Sequence, residues 1–309
     1  MATHWDRKDL LGLEPLSAAE IETVLDAAVP FAEDPRSRSQ DLAGRTVAFL
    51  FSEASTRTRS SFEVAARRLG AEVLGFSVSS SSLLKGETML DTVRNLEAMG
   101  VEYFIVRHEI SGVLEPLAPA VASSLLNAGD GAHEHPTQAL LDLYTMRKRL
   151  GRIKGLRVVI VGDILHSRVA RSNIHALRKL GARVTVCGPA ALIPKGIEKM
   201  GARVSHDLDE ALADADVVNV LRLQLERQQQ NLIASVSDFS KRYGLTAVRL
   251  AQYKDLLVMH PGPINRGVEL SNDAADGPQS AILEQVSNGV AVRMAALTLL
   301  ESWRAKNAR

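Results

Sequence analysis

The chain has 309 residues, enough for about two domains, and its 46% hydrophobic and 24% charged composition supports a packed core and argues against disorder. With 37 Lys and Arg against 36 Asp and Glu the net charge is +1, which removes the electrostatic footprint of a nucleic-acid binder, and the single cysteine, Cys187, excludes an intramolecular disulfide and a multi-cysteine zinc site. No run approaches the roughly 20 apolar residues of a membrane span, and the N-terminal segment meets Asp6 and Asp9 without the apolar stretch of a secretory signal, so a soluble, cytoplasmic protein with no membrane partner is expected.

Two stretches alternate apolar runs with helical patterns, as parallel α/β units do. In the first, 46–51 reads as a buried strand after Gly44, and 56–69 as a helix with Phe62, Ala65, Ala66 and Leu69 on one face and Gly70 as its stop. A strand at 72–76, a helix at 87–99 and a strand at 103–106, ending at Arg107 and His108, follow. A long helix starts at Pro136, carries Leu140, Leu143, Tyr144 and Leu150 as its stripe, and stops at Gly151.

The second stretch opens at once with a strand at 156–161, then a helix at 169–180 and strands at 183–187, 216–221 and 256–259. A helical pattern from 281 to about 303 has the length to return to the first domain. The expected fold is therefore α/β, with two domains, 1–150 and 151–289, each a mostly parallel sheet flanked by helices, and a C-terminal helix at about 290–309 returning to the first. The polar, unpatterned segments 77–85 and 222–241 read as mobile loops.

Parallel sheets bind ligands beyond the carboxyl ends of their strands. After the first strand come Ser55, Thr56, Arg57, Thr58 and Arg59 at a helix start, which reads either as an ordinary N-cap with solvated arginines or as a cradle for a phosphate dianion. Arg107 ends another strand. His133 and His135 precede Pro136, but two histidines at this spacing with no third ligand make a poor zinc site, whereas His135 with Gln138 directs two polar groups at one carbonyl or amide. The serine run 79–82 with Lys85 reads as a flexible linker or as a lid carrying a cation to an anion.

In the second domain Gly162 and Asp163 start like a dinucleotide fold, yet the second and third glycines are missing and Ser167-Arg168 stands at the helix start. Arg222 and Gln224 follow another strand, and Pro261-Gly262-Pro263 follows His260. Collected, the strand ends supply Arg57, Arg107, Arg168 and Arg222 with few carboxylates on a nearly neutral chain, so two anionic small molecules meeting in the interdomain cleft are expected.

Ser55-Thr56-Arg57-Thr58-Arg59, Lys85-Gly86-Glu87-Thr88 and His135-Pro136-Thr137-Gln138, in this order, resemble the carbamoyl-phosphate motifs of the aspartate/ornithine carbamoyltransferase family. Within it, His260-Pro261-Gly262-Pro263 in place of the ornithine branch's His-Cys-Leu-Pro, together with Arg168 and Arg222, is similar to the aspartate branch; many members carry Leu where this chain has Gly262. Two guanidinium groups neutralise the two carboxylates of aspartate and repel the cationic side chain of ornithine, which leaves an ornithine-type or other amine carbamoyltransferase as the alternative.

The resemblance implies transfer from carbamoyl phosphate to L-aspartate in pyrimidine biosynthesis, with no metal or organic cofactor. It implies that Arg57, Thr58, Arg107 and His135 are catalytic and that carbamoyl phosphate is held by Ser55, Thr56, Arg57, Thr58, Arg107, His135, Gln138, Gly262 and Pro263. Aspartate would be held by Lys85, Arg168, Arg222 and Gln224, with Ser81 and Lys85 reaching in from a neighbouring subunit of a homotrimer. Some members associate with regulatory chains, some with dihydroorotase, and some are lone trimers, and the sequence leaves these open.

Overall fold

A computed structural model describes residues 5–75, 87–225 and 232–307. They form two compact units, Met1–Leu141 with Val286–Arg309, and Asp142–Gln285, each holding one parallel sheet.

The first unit opens with α1 (Ala18–Ala27) and α2 (Val29–Glu33), neither of which is among the expected elements. α1 is specified locally: the Ser17 hydroxyl accepts from Glu20 N, the Glu20 carboxylate returns to Ser17 N, and Ile21, Val24 and Leu25 form the buried stripe. Then β1 (Thr46–Phe51), α3 (Thr56–Arg68), β2 (Glu72–Gly75), α4 (Met89–Ala98) and β3 (Tyr103–His108) occupy the expected places. β4 (Ser124–Asp130) is unexpected, and all seven of its residues are buried. Asn127, Gly129 and Asp130 are turn-forming types that disguise it. It is held on one side by β3 and on the other by Leu10, whose N–H donates to Leu125 O and whose carbonyl accepts from Asn127 N, both at 2.9 Å. α5 (Pro136–Leu150) starts in this unit and belongs to the second from Asp142 on.

The strand order is β2-β1-β3-β4. Ala48, Leu50, Phe104, Val106 and Leu125 pack with Val93 and Leu96 of α4 on one face, and the alternate residues Val47, Phe49, Tyr103 and Ile105 are buried too. Two-sided burial of this kind explains why the strands read as unbroken apolar runs.

The second unit contains β5 (Arg157–Val161), α6 (Arg168–Lys179), β6 (Arg183–Cys187), β7 (Arg203–Ser205), α7 (Leu208–Leu212), β8 (Val217–Val220), α8 (Val236–Tyr243), α9 (Ala247–Leu250), β9 (Leu257–Met259) and α10 (Asn272–Ala275), with strand order β7-β6-β5-β8-β9. Val159, Val161, Val218, Val220 and Val258 form its core with Phe239 and Tyr243 of α8. α8 corrects the expected loop at 222–241: Ser235 caps Asp238 N, and the two aromatic residues one turn apart give the helix a buried face. Phe76, the expected loop 77–85 and Gln228 to Gln230 lie outside the described residues.

α11 (Ile282–Asn307) starts in the second unit and its later part belongs to the first. There Glu301 accepts from Arg45 at 2.7 Å and from the Tyr103 hydroxyl, and Arg293 donates to Ser61 Oγ at 2.9 Å. Among the described residues no helix is long and apolar enough to cross a membrane.

Candidate active site

In the first sheet the chain places β2 on one side of β1 and β3 on the other; in the second, β6 and β7 lie on one side of β5 while β8 and β9 lie on the other. Connections that leave in opposite directions open a crevice at the carboxyl ends of β1 and β3 and of β5 and β8, where open α/β sheets bind ligands. The candidate residues fall at those two points. Ser55 to Thr58 follow β1 and Arg107 is the penultimate residue of β3, whereas Arg168 follows β5, and Arg222 and Gln224 follow β8. His135 and Gln138 follow β4, next to β3, and Gly262 and Pro263 follow β9, next to β8.

Ser55 is the N-cap of α3, yet its side chain makes no capping hydrogen bond. The ordinary N-cap reading therefore does not apply. The half-buried Ser55 and Thr58 and the exposed Thr56 and Arg57 surround a first turn whose N–H groups have no intrahelical acceptor. Among the described helices of eight residues or more, α3, α5 and α6 are the three with no acid in the first turn. Those are the three that start at candidate sites, and a carboxylate there would compete with an anion for the positive end of the helix.

Arg107 is stitched to both neighbouring strands. Ser52 N donates to its carbonyl at 2.9 Å, its Nη1 donates to Ala128 O at 3.3 Å, and its Nη2 lies 3.2 Å from Glu53 Oε2. The β3–β4 register shifts between Val106 and His108, with one more residue on β4 than on β3, so Arg107 lies opposite an irregularity of its neighbouring strand. His135, 4% exposed, precedes the proline that opens α5, and the buried Gln138 lies in its first turn, with Gln138 N donating to His135 O at 3.0 Å.

In the second unit Arg168 is the first residue of α6 and is buried, directly after Ser167, whose hydroxyl does cap the helix by accepting from Ala170 N at 3.1 Å. Gln224 is drawn to the same place: its Nε2 donates to His166 O at 3.2 Å and its N–H to Asp163 Oδ2 at 3.3 Å. Asp163, fully buried, also accepts from His166 N and pairs with His166 Nδ1 at 2.8 Å. Gly162 is explained by crowding, not by a pyrophosphate: a Cβ there would meet Leu221 O at 2.7 Å. Gly262 has φ +67°, a left-handed backbone that glycine adopts without the Cβ penalty leucine would carry.

A family profile of the aspartate/ornithine carbamoyltransferase carbamoyl-phosphate-binding domain matches residues 8–148, and one of the Asp/Orn-binding domain matches residues 154–300. The chain belongs to the aspartate/ornithine carbamoyltransferase family. It is 56% identical over 298 residues to an aspartate carbamoyltransferase catalytic subunit of Halothermothrix orenii, covering 95% of each chain. It is 54% identical over 305 residues to that of Endomicrobium trichonymphae, covering 97% of each. An aspartate transcarbamoylase from Trypanosoma cruzi, solved in complex with carbamoyl phosphate and aspartate, superposes with a TM-score of 0.86 at 32% identity, covering 95% of this chain and 97% of that one.

For this carbamoyltransferase the expectation of few carboxylates at the strand ends needs correcting. Glu53 and Asp163 stand there, one against Arg107 and the other bracing Gln224. Both are visible in sequence, two residues beyond their strands, but an acid beside a basic cluster signals no particular partner until the sheet is assembled. Ser81 and Lys85 lie outside the described residues.

His133 is occupied too. Its Nδ1 bonds Asp130 Oδ2 at 2.9 Å, and Glu115 brings a third potential ligand atom within 4.8 Å. Asp130 already accepts from Asn127, Glu134 and Gly112, so the trio is an ion pair with a neighbouring acid. The hydrogen bond to Asp130 raises the His133 imidazole above its usual range, outweighing burial. Burial alone would raise Asp130, and the bonds from His133, Asn127, Gly112 and Glu134 reverse that and hold it low. Burial pushes the Cys187 thiol up to about 12, which makes it a poor nucleophile.

Proposed function

We propose that this carbamoyltransferase transfers the carbamoyl group of carbamoyl phosphate to the amine of L-aspartate, giving N-carbamoyl-L-aspartate and phosphate, in pyrimidine biosynthesis. The observation that carries this reading is the cationic, acid-free helix start at the switch point of each sheet, one with an open first turn and one with a buried arginine. On this reading Ser55, Thr56, Arg57 and Thr58 hold the phosphate, with Arg107 and a neighbouring subunit's Lys85 completing the charge balance.

Thr58, Arg107 and His135 bond the carbonyl oxygen and hold it more strongly as it becomes an oxyanion, a gain of about 3 kcal/mol per donor. Gln138 and the carbonyls around Gly262 and Pro263 receive the carbamoyl NH2. Arg168, Arg222 and Gln224 hold the two carboxylates of aspartate so that its amine faces the carbonyl carbon. The C–N bond forms, the C–O bond to phosphate breaks with its electron pair, and the departing phosphate takes the amine proton. Phosphate serves as leaving group and proton acceptor, so the reaction as written calls for no metal or organic cofactor, and orientation of two bound anions is the main task of the protein.

The working form on this reading is a cytoplasmic homotrimer in which Ser81 and Lys85 complete a neighbour's site. The deciding assay measures phosphate release from carbamoyl phosphate with L-aspartate and L-ornithine in parallel and identifies the carbamoylated product. Aspartate-dependent turnover is expected, and ornithine-dependent turnover would overturn the choice of branch. Mixed trimers test the sharing: Lys85→Ala and Arg57→Ala chains, each inactive, regain part of the activity when reassembled together, and no regain would count against a shared site.

A further inference from the structure

The turn 261–263 and the segment 222–224 lie in different connections, after β9 and after β8, yet both lead to one buried carboxylate. Glu269 is fully buried, and its Oε1 pairs with Nε2 of the buried His260 at 3.3 Å and accepts from Asn265 N at 2.6 Å. On its other side His260 accepts the Gly262 N–H at Nδ1, at 2.7 Å. That bond sets the tautomer: with Nδ1 accepting, Nε2 carries the proton and donates to Glu269. Asn265 turns its side chain the other way, and its Nδ2 donates to the carbonyl of Leu223, the residue between Arg222 and Gln224, at 3.2 Å.

The assembly is anchored behind. His260 N donates to Gln285 Oε1 at 2.9 Å, and Gln285 Nε2 donates to Asp142 Oδ1 at 2.7 Å. Asp142 Oδ2 in turn accepts from Asn173 at 2.9 Å and Asn219 at 3.1 Å. Burying a carboxylate and an imidazole is unfavourable unless they are paired and hydrogen-bonded, and the bonds made here run on to the Gly262 N–H and, through Asn265, to the Leu223 carbonyl.

We propose that Glu269 is a positioning residue that holds two recognition segments together, the carbamoyl-amide turn through His260 and the aspartate segment through Asn265. This rests on the function proposed above. An apolar residue at 269 would leave the His260 ring without its acceptor and Asn265 N without its own, so both segments would loosen together. Glutamine at 269 keeps an oxygen able to accept both bonds, which makes Glu269→Gln the conservative control.

The test combines steady-state kinetics with amide exchange on the full-length oligomer. Glu269→Ala is expected to lower kcat/KM for both substrates by on the order of 100-fold, and Asn265→Ala to raise the aspartate KM by about tenfold while leaving that for carbamoyl phosphate within about twofold, the scale of one or two lost hydrogen bonds. Glu269→Gln restores most of the loss. In parallel, Gly262 and Gln224 amides exchange faster in Glu269→Ala and at the wild-type rate in Glu269→Gln.

A loss of active fraction with both KM values unchanged, or unchanged exchange at Gly262 and Gln224, would overturn the proposal. Should Glu269→Ala not fold, the half-buried Asn265→Ala still tests the aspartate arm through the aspartate KM and Gln224 exchange, and either one unchanged would overturn the proposal. A wild type with no aspartate turnover sinks the functional reading instead, and the exchange data still decide whether Glu269 positions the two segments.

Discussion

At the start of α3 the Ser55 hydroxyl makes no capping bond, while at the start of α6 the Ser167 hydroxyl caps Ala170 N at 3.1 Å. The two helices otherwise match: each follows an inner strand of its sheet, each has no acid in its first turn, and each ends in basic residues that suit its dipole. On the proposed function, the difference reflects what would take the anion at each helix start. A compact tetrahedral phosphate can sit on the backbone N–H groups themselves, so a capping hydroxyl would be a competitor. An amino-acid carboxylate is planar and suits the fork of a guanidinium, so on the proposed function the second helix can be closed by its own serine while Arg168 serves as the receptor. The units share one geometry, with an open turn in the first and a capped turn bearing a buried arginine in the second.

The largest test of that division is Arg107→Ala. If Arg107 has its proposed role as a donor to the reacting carbonyl, its removal is expected to lower kcat about 100- to 1000-fold at saturating substrates. A loss confined to the aspartate KM would break the assignment of the first unit to carbamoyl phosphate. Next comes Arg168→Met, which keeps much of the buried volume and removes the charge: the aspartate KM should rise about 100-fold, the scale of one lost charge-assisted pair, with the carbamoyl phosphate KM nearly unchanged. If the two constants moved together, the second unit would not be a separate aspartate receptor.

The parts of the molecule legible in sequence were those where one local signal suffices. β1, β5 and β6 are apolar runs, α3 has a clean stripe ending at Gly70, and Pro136 opens α5. β4 was hidden because Asn127, Gly129 and Asp130 carry turn chemistry while serving buried roles: Asn127 Nδ2 donates to Leu11 O and to Asp130 Oδ1, each at 2.8 Å, and its Oδ1 accepts from Gly129 N. α8 was hidden behind a polar run, because only Phe239 and Tyr243 are fully turned into the core and Val236 packs against it in part. Among the site residues, cations were readable by type at strand ends, but the acids that orient them were not. Glu53 meets Arg107, and Asp163 braces Gln224, only after strands far apart in sequence pair side by side.

The two helix starts also predict a difference in stability. Ser167→Ala removes a cap and should cost about 1 kcal/mol. Ser55→Ala has no capping bond to lose and should stay within about 0.5 kcal/mol, the range of an ordinary surface change. Urea unfolding of the two variants, followed by circular dichroism, compares them directly. Ser55→Asp sharpens the contrast: a carboxylate can cap the turn and stabilise the helix while repelling phosphate, so a more stable protein with weakened inhibition by inorganic phosphate is expected. A destabilised Ser55→Ala would mean that the hydroxyl holds the turn after all.

The smallest effect is a pH dependence in the first unit. Both units carry an acid–histidine pair three residues apart at or just past a strand end, Asp130 with His133 and Asp163 with His166, the carboxylate buried in each. In the first, the bond to Asp130 raises His133 above its ordinary 6.5, so its contribution is complete below that value and is lost as pH rises through the higher folded-state pKa. Burial opposes ionisation of Asp130, but its hydrogen bonds win and hold it below 3.8, so its contribution is present above that value and lost as pH falls through the lower folded-state pKa. The pair is therefore strongest between about 4 and 6.5. Because His133 is nearly one-third exposed, solvent screens it, and the loss between pH 6 and pH 8.5 should stay below about 1 kcal/mol. His133→Gln should flatten that part of the wild-type stability profile in urea, and a profile that keeps its slope would place the titrating group elsewhere.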